Sequence, residues 1–212
     1  MWHTDSYSAN PSRPQDYWTE MLERYSGAIW ETNLIVGKAT PKSALYLCPS
    51  YARICKPDTL FQELLAFGPG VMWSLGHEMG SYGYNAYGVG FSGTNAWGLG
   101  GTFNGPYIRP DGGINNTSFR PTREDEVLAP GTMFAIGDAQ LYGSATRMSG
   151  YTIMPPFYAN EYTAAATARR HAGKWNMAYV DGHVATVPTP SVQDGKNDSV
   201  RVSFNRDALP HK

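Results

Sequence analysis

Charge is scarce in this chain. Of 212 residues only 17% are Asp, Glu, Lys or Arg, against about a quarter in ordinary soluble proteins. The 17 basic and 18 acidic side chains nearly cancel, so no basic stripe exists to hold nucleic acid, and that partner class is excluded. Cysteine is almost absent as well. Cys48 and Cys55 are the two in the chain, and no neighbouring Cys or His pair completes a four-ligand zinc site. In an oxidising compartment they can close a small disulfide loop; in the cytosol they would be two thiols, and spacing alone leaves both open. No apolar run approaches the ~20 residues of a membrane span. Met1-Trp2-His3-Thr4-Asp5 has neither the basic start nor the apolar stretch of a signal peptide.

Familiar catalytic patterns are missing too. There is no Gly-x-Ser-x-Gly elbow. His77-Glu78 lacks the second histidine of a zinc-protease helix. Asp111-Gly112-Gly113 lacks the acidic spacing of an EF-hand loop. What the chain does have is 13% aromatic residues, with Tyr at 14 and Gly at 23, a composition suited to an extracytoplasmic surface of loops and short strands. Nothing in it reads as a repeat or an interdomain linker, so residues 1–212 are expected to form a single domain.

The apolar spacing of Tyr17, Trp18, Met21, Leu22 and Tyr25 predicts a helix over 14–25, stopped by Gly27. A short buried strand is expected over 44–48, ending at Pro49, and a second helix over 58–65. Tyr82, Tyr84 and Ala86 fall on one side of a strand. Another strand is expected over 132–136, leading into Gly137-Asp138. Strands separated by loops rather than by regular helices favour an antiparallel α+β domain.

The most telling stretch runs from Arg170 to Val184. His171 is followed by nine residues and then Asp181-Gly182. Trp175 to Val180 predicts a strand, and Asp-Gly suits a two-residue type I′ hairpin turn. That turn would set Tyr179 opposite Val184, with Trp175, Met177, Tyr179 and Val184 on the buried face.

This hairpin resembles the H-x9-D-G signature of a large bacterial family of prepilin-type, processing-associated proteins, similar to type II secretion protein G. Four further segments resemble the same family in the same order: Leu45-Tyr46-Leu47-Cys48-Pro49-Ser50, Ser81-Tyr82-Gly83-Tyr84-Asn85-Ala86-Tyr87, Ala129-Pro130-Gly131-Thr132 through Asp138, and Phe204-Asn205-Arg206-Asp207 with Pro210-His211. The resemblance implies a type IV pilin-like globular head, with a small antiparallel sheet and long loops. It implies a place in the cell envelope, on the periplasmic or extracellular side, with other pilin-like subunits or secretion machinery as partners, and no settled enzymatic activity. Such proteins begin with a basic leader and a long hydrophobic helix. This sequence is expected to represent the head without that helix, and so to carry no membrane segment.

His171, Asp181 and Gly182 are therefore motif residues. The non-enzymatic reading has two rivals. In one, the aromatic-rich middle, with Trp73, Tyr82, Tyr84 and Trp97, stacks on glycans, making the chain an envelope-displayed carbohydrate-binding module. In the other, Asp138, His171 and Asp181 converge to hold a divalent metal such as calcium, or to act as a metal-dependent hydrolase. No cofactor is otherwise implied. The bland alternative for these three is structural, because Asp at a turn bonds neighbouring N–H groups and a histidine before a strand caps or packs.

Overall fold

A computed structural model describes residues 22–23, 25–29, 31, 38–54, 81–85, 88–89, 97–100, 122–138, 153 and 170–211, and the backbone of six two-residue strands between 102 and 148. Ten strands occur among them. β1 is Tyr82–Tyr84, β2 Thr102–Phe103, β3 Tyr107–Ile108, β4 Ile114–Asn115, β5 Phe119–Arg120, β6 Phe134–Asp138, β7 Leu141–Tyr142, β8 Arg147–Met148, β9 Lys174–Tyr179 and β10 Val184–Pro188. The central sheet has four strands in the order β1-β6-β9-β10, all antiparallel. Three small two-stranded ladders stand apart from it: β2 with β5, β3 with β4, and β7 with β8. Three α-helices are complete among the described residues: α1 (Pro49–Ile54), α2 (Pro190–Gln193) and α3 (Asp198–Val202). The described part is thus α+β around one small antiparallel sheet. No helix among the described residues is long and apolar enough to cross a membrane.

The sheet buries one face against a core of Val89, Phe134, Ile153, Trp175, Met177, Val192, Val200 and Phe204. Trp175 and Met177 sit on alternate positions of β9 and are completely buried, as period-two alternation requires. Phe134 meets Phe204 edge-on with ring centres 5.3 Å apart, a favoured aromatic geometry. Opposite Met177 lies Gly137, where any Cβ would collide with the methionine sulfur. A bulge between Phe134 and Ile136 resets the alternation, so Phe134 and Gly137 face the same core. A second cluster of Tyr84, Leu99, Val127 and Met133 gathers partly buried Leu22 and Ile136.

Several expectations need correction. Residues 44–48 are not a strand: Ala44–Tyr46 is a 3₁₀ turn and Pro49 opens α1. Proline fits the first helical turn, where its missing N–H is not needed and its φ is already set. Of the helix expected over 14–25, only the end is described. There the Gly27 N–H donates to Glu23 O (3.0 Å) at φ +66°, a left-handed helix stop. The helix expected over 58–65 lies outside the described residues.

The hairpin differs by one residue. Val184 pairs with Ala178, not Tyr179. Tyr179 N–H donates to His183 O (2.9 Å) and Gly182 N–H to Tyr179 O (3.0 Å), so the loop holds Val180, Asp181 and Gly182. Gly182 has φ +92° and Asp181 is not in the left-handed region. This is a type I turn followed by a left-handed glycine, the three-residue hairpin, rather than the I′ turn. The one-residue shift sends Val184 to the other face, where it is 70% exposed. Asp-Gly satisfies both turn types, which is why the dipeptide alone did not settle the register.

Two substitutions check this register by thermal denaturation. Gly182→Val puts a β-branched residue at φ +92° and is expected to cost ~1–3 kcal/mol. Val184→Ala is expected to stay within ~0.5 kcal/mol of wild type, as for an exposed site.

Candidate functional site

The described residues hold one cluster of three or more potential metal ligands, and it lies where three distant segments meet: Cys48, Asp138 and His171. Cys48 sits at the junction between the 3₁₀ turn and α1, Asp138 ends β6, and His171 lies in the turn before β9. Asp138 is the anchor. Its side chain is 1% exposed. Arg170 Nη2 donates to its Oδ1 (2.6 Å), the Asn176 backbone N–H donates to its Oδ2 (2.7 Å), and His171 Nε2 lies 3.3 Å away. The Arg170 guanidinium, itself fully buried, also donates to Ser81 O (3.0 Å). Ser81 continues the chain of bonds, accepting from the Cys48 N–H (2.7 Å) and donating to Tyr46 O (2.8 Å).

His171 reaches the cluster through an unusual backbone. Its φ is +46°, that of Ala172 +56° and that of Gly173 +80°, three consecutive residues in the left-handed region. Such a conformation costs a non-glycine L-residue roughly 1–2 kcal/mol, so surrounding contacts must hold it. Those contacts converge on one nitrogen. Around Nε2 lie Cys48 Sγ (3.3 Å), Asn176 Nδ2 (3.2 Å) and both Asp138 oxygens. Among the described residues, the hydrogen-bond partner of Nδ1 is Ser50 Oγ (3.4 Å). A nucleophilic relay needs the opposite layout, with thiol on one ring nitrogen and carboxylate on the other. The Cys48 residue is also 1% exposed, which keeps substrate from the sulfur. The arrangement suits ligation or structural anchoring better than thiol catalysis.

Asp181 does not join this cluster. It lies at the other end of β9, a six-residue strand that spans roughly 20 Å. There its carboxylate accepts from the His183 backbone N–H (3.1 Å) and contacts His183 Nδ1 (2.6 Å). These bonds hold the Asp181 carboxyl below its ordinary value of 3.8. The structure thus brings Asp138 and His171 together, with Cys48 as third member in place of Asp181. Cys48 carries a free thiol; Cys55 lies outside the described residues.

The aromatic set divides. Trp73 is outside the described residues. Tyr84 is 1% exposed and belongs to the core. Tyr82 is half-buried beside the cluster; burial first, then Cys48 and Asp138, push its phenol up to about 12, with Arg170 opposing. One face of the Trp97 ring is covered by the His211 ring, stacked at 3.8 Å. These three residues do not form a shared exposed platform for a sugar. Sequence reading missed Cys48, Arg170 and Ser81 as members of the site. The available signal was that all three lie in or beside the five segments quoted above. No protein family, curated protein or solved structure matches the chain.

Two measurements follow. Asp138→Asn removes the carboxylate charge that meets the buried Arg170 guanidinium, and chemical denaturation is expected to show a loss of ~3–5 kcal/mol. At the turn, the fold favours the ionised Asp181, so its contribution is complete above the ordinary carboxyl value and fades as pH falls through the lowered one. The melting-temperature gap between wild type and Asp181→Asn is therefore expected at neutral pH and should vanish in strong acid.

Proposed function

We propose that this chain is the globular head of a pilin-like protein of the cell envelope, acting by assembly or binding with other pilin-like subunits or secretion machinery rather than by catalysis. One observation carries the proposal: the five segments on which the resemblance rests are in contact with one another. Cys48 bonds Ser81, and Arg170 bonds both Ser81 and Asp138. Asn85 Nδ2 donates to Phe134 O (2.9 Å) and Phe204 O (2.8 Å). Asn205 Oδ1 accepts from the Val89 N–H (2.7 Å). Motifs that meet in one connected polar framework support a reading in which they build the fold rather than carry a reaction.

Two further features support this reading. Leu22, in the helical turn that Gly27 stops, packs against the cluster containing Tyr84 and Met133, as a helix laid on the sheet of a pilin-like head would. On the outer face of β9 and β10, Val184 and Thr186 are exposed, leaving surface for a neighbouring subunit.

Fractionation of the source cells tests the proposal. Antibody against this chain is expected to find it in the envelope and in sheared surface material, joined in the intact gene product to an upstream hydrophobic helix. Recovery only from the soluble cytoplasm, with no such helix encoded, would remove the pilin reading.

A further inference from the structure

We infer that Cys48, Asp138 and His171 form a binding site for one divalent transition-metal ion of the zinc type, an inference independent of the pilin-like reading. The first argument is distance. Metal bonds of ~2.3 Å to sulfur and ~2.0–2.2 Å to nitrogen and oxygen at tetrahedral angles place the donor atoms about 3.3–3.6 Å apart. Cys48 Sγ lies 3.3 Å from His171 Nε2, and the nearest Asp138 oxygen lies 3.3 Å from the same nitrogen. All three donor atoms fall within 4.8 Å of one another.

The second argument is valence. Nε2 offers either one proton or one lone pair. It nevertheless faces a thiol, a carboxylate and an amide at 3.2–3.3 Å, and neither its nitrogen nor its oxygen neighbours come within the usual ~2.9–3.0 Å of a good hydrogen bond. The Asp138 oxygens are met by Arg170 and the Asn176 N–H at 2.6 and 2.7 Å, so the crowding falls on Nε2, and a cation shared with the thiol and the carboxylate relieves it.

The surroundings supply what such a site needs. Ser50 Oγ stands 3.4 Å from His171 Nδ1, able to orient the ring once Nε2 is engaged. Arg170 and the Asn176 N–H fix the carboxylate through one oxygen each, leaving lone pairs on both. Thiolate and carboxylate against the Arg170 charge leave one net negative charge to meet the dication, and metal entry releases the thiol proton. A sulfur–nitrogen–oxygen donor set selects zinc-like ions over calcium, which takes oxygen ligands. The His171 side chain is 20% exposed, so a fourth position can be filled from solvent.

Cobalt(II), the spectroscopic stand-in for zinc, tests the site in the reduced, full chain. One equivalent is expected to bind and give a thiolate-to-cobalt charge-transfer band, displaced by zinc. Cys55→Ser should keep the band and Cys48→Ser should lose it. His171→Asn suits the left-handed backbone while removing the imidazole, and should weaken binding more than tenfold. Ser50→Ala should weaken it by about tenfold, as for an outer-shell partner. Circular dichroism on each variant separates ligand loss from unfolding. The inference falls if the folded wild-type chain gives no stoichiometric band. It falls equally if the band survives Cys48→Ser, is lost in Cys55→Ser, or is unchanged in folded His171→Asn.

Discussion

A single buried carboxylate holds the centre of this molecule together. Asp138 closes β6, and its two oxygens take the Arg170 guanidinium and the Asn176 backbone N–H. Burying an ionised carboxylate is costly unless it is paired and hydrogen-bonded, and here both conditions are met by residues on either side of one turn. The chain between Arg170 and Asn176 is therefore pinned at both ends to the same side chain. Its left-handed path through 171–173 follows from that clamp, and so does the direction of the His171 ring.

Around this point the loops are organised by amides rather than by extra secondary structure. Asn85 and Asn205 act as fixed spacers: Asn85 donates to Phe134 O and Phe204 O and accepts from the nearby Gly88 N–H, while Asn205 accepts from the Val89 N–H and donates to the nearby Leu209 O. Where they meet, Gly88 has φ +70°, and an added Cβ would come within 2.6–2.7 Å of Gly98, Asn205 and Trp97. Close backbone approach at a glycine and satisfied asparagine side chains solve one problem together. They give buried loop peptides their hydrogen-bond partners without a ladder.

How much of this was legible in the residues varies by element. Trp175 and Met177 were assigned to the core from alternation alone, and both are buried, because burial along a strand follows period two. Val184 was assigned wrongly, because Asp-Gly serves both a two-residue and a three-residue loop and the choice is made by the local backbone. The strand expected over 44–48 failed for a related reason. Apolar runs of that length do not distinguish strand from tight helical turn, and Pro49 starts a helix as readily as it ends a strand. The pairing of Asp138 with His171 was anticipated as strand ends that converge. Asp181 was grouped with them because it too lies at a turn, although a whole strand separates it from His171. Cys48 was missed as a partner because nothing local to its sequence points to a segment more than a hundred residues away.

That separation has a consequence for how the chain reaches its native state. The contact between Cys48 and His171 joins residues 123 apart, and the one between Arg170 and Ser81 joins residues 89 apart. Loop closure over such lengths comes before the contacts can repay it. The Asp138 clamp on Arg170 and Asn176 can form within residues 138–176, whereas the Cys48 sulfur joins it only when the more distant closure is made. The protection of the Cys48 sulfur is thus a property of that long-range closure, and its loss of reactivity during refolding would time the step that brings residues 48 and 171 together.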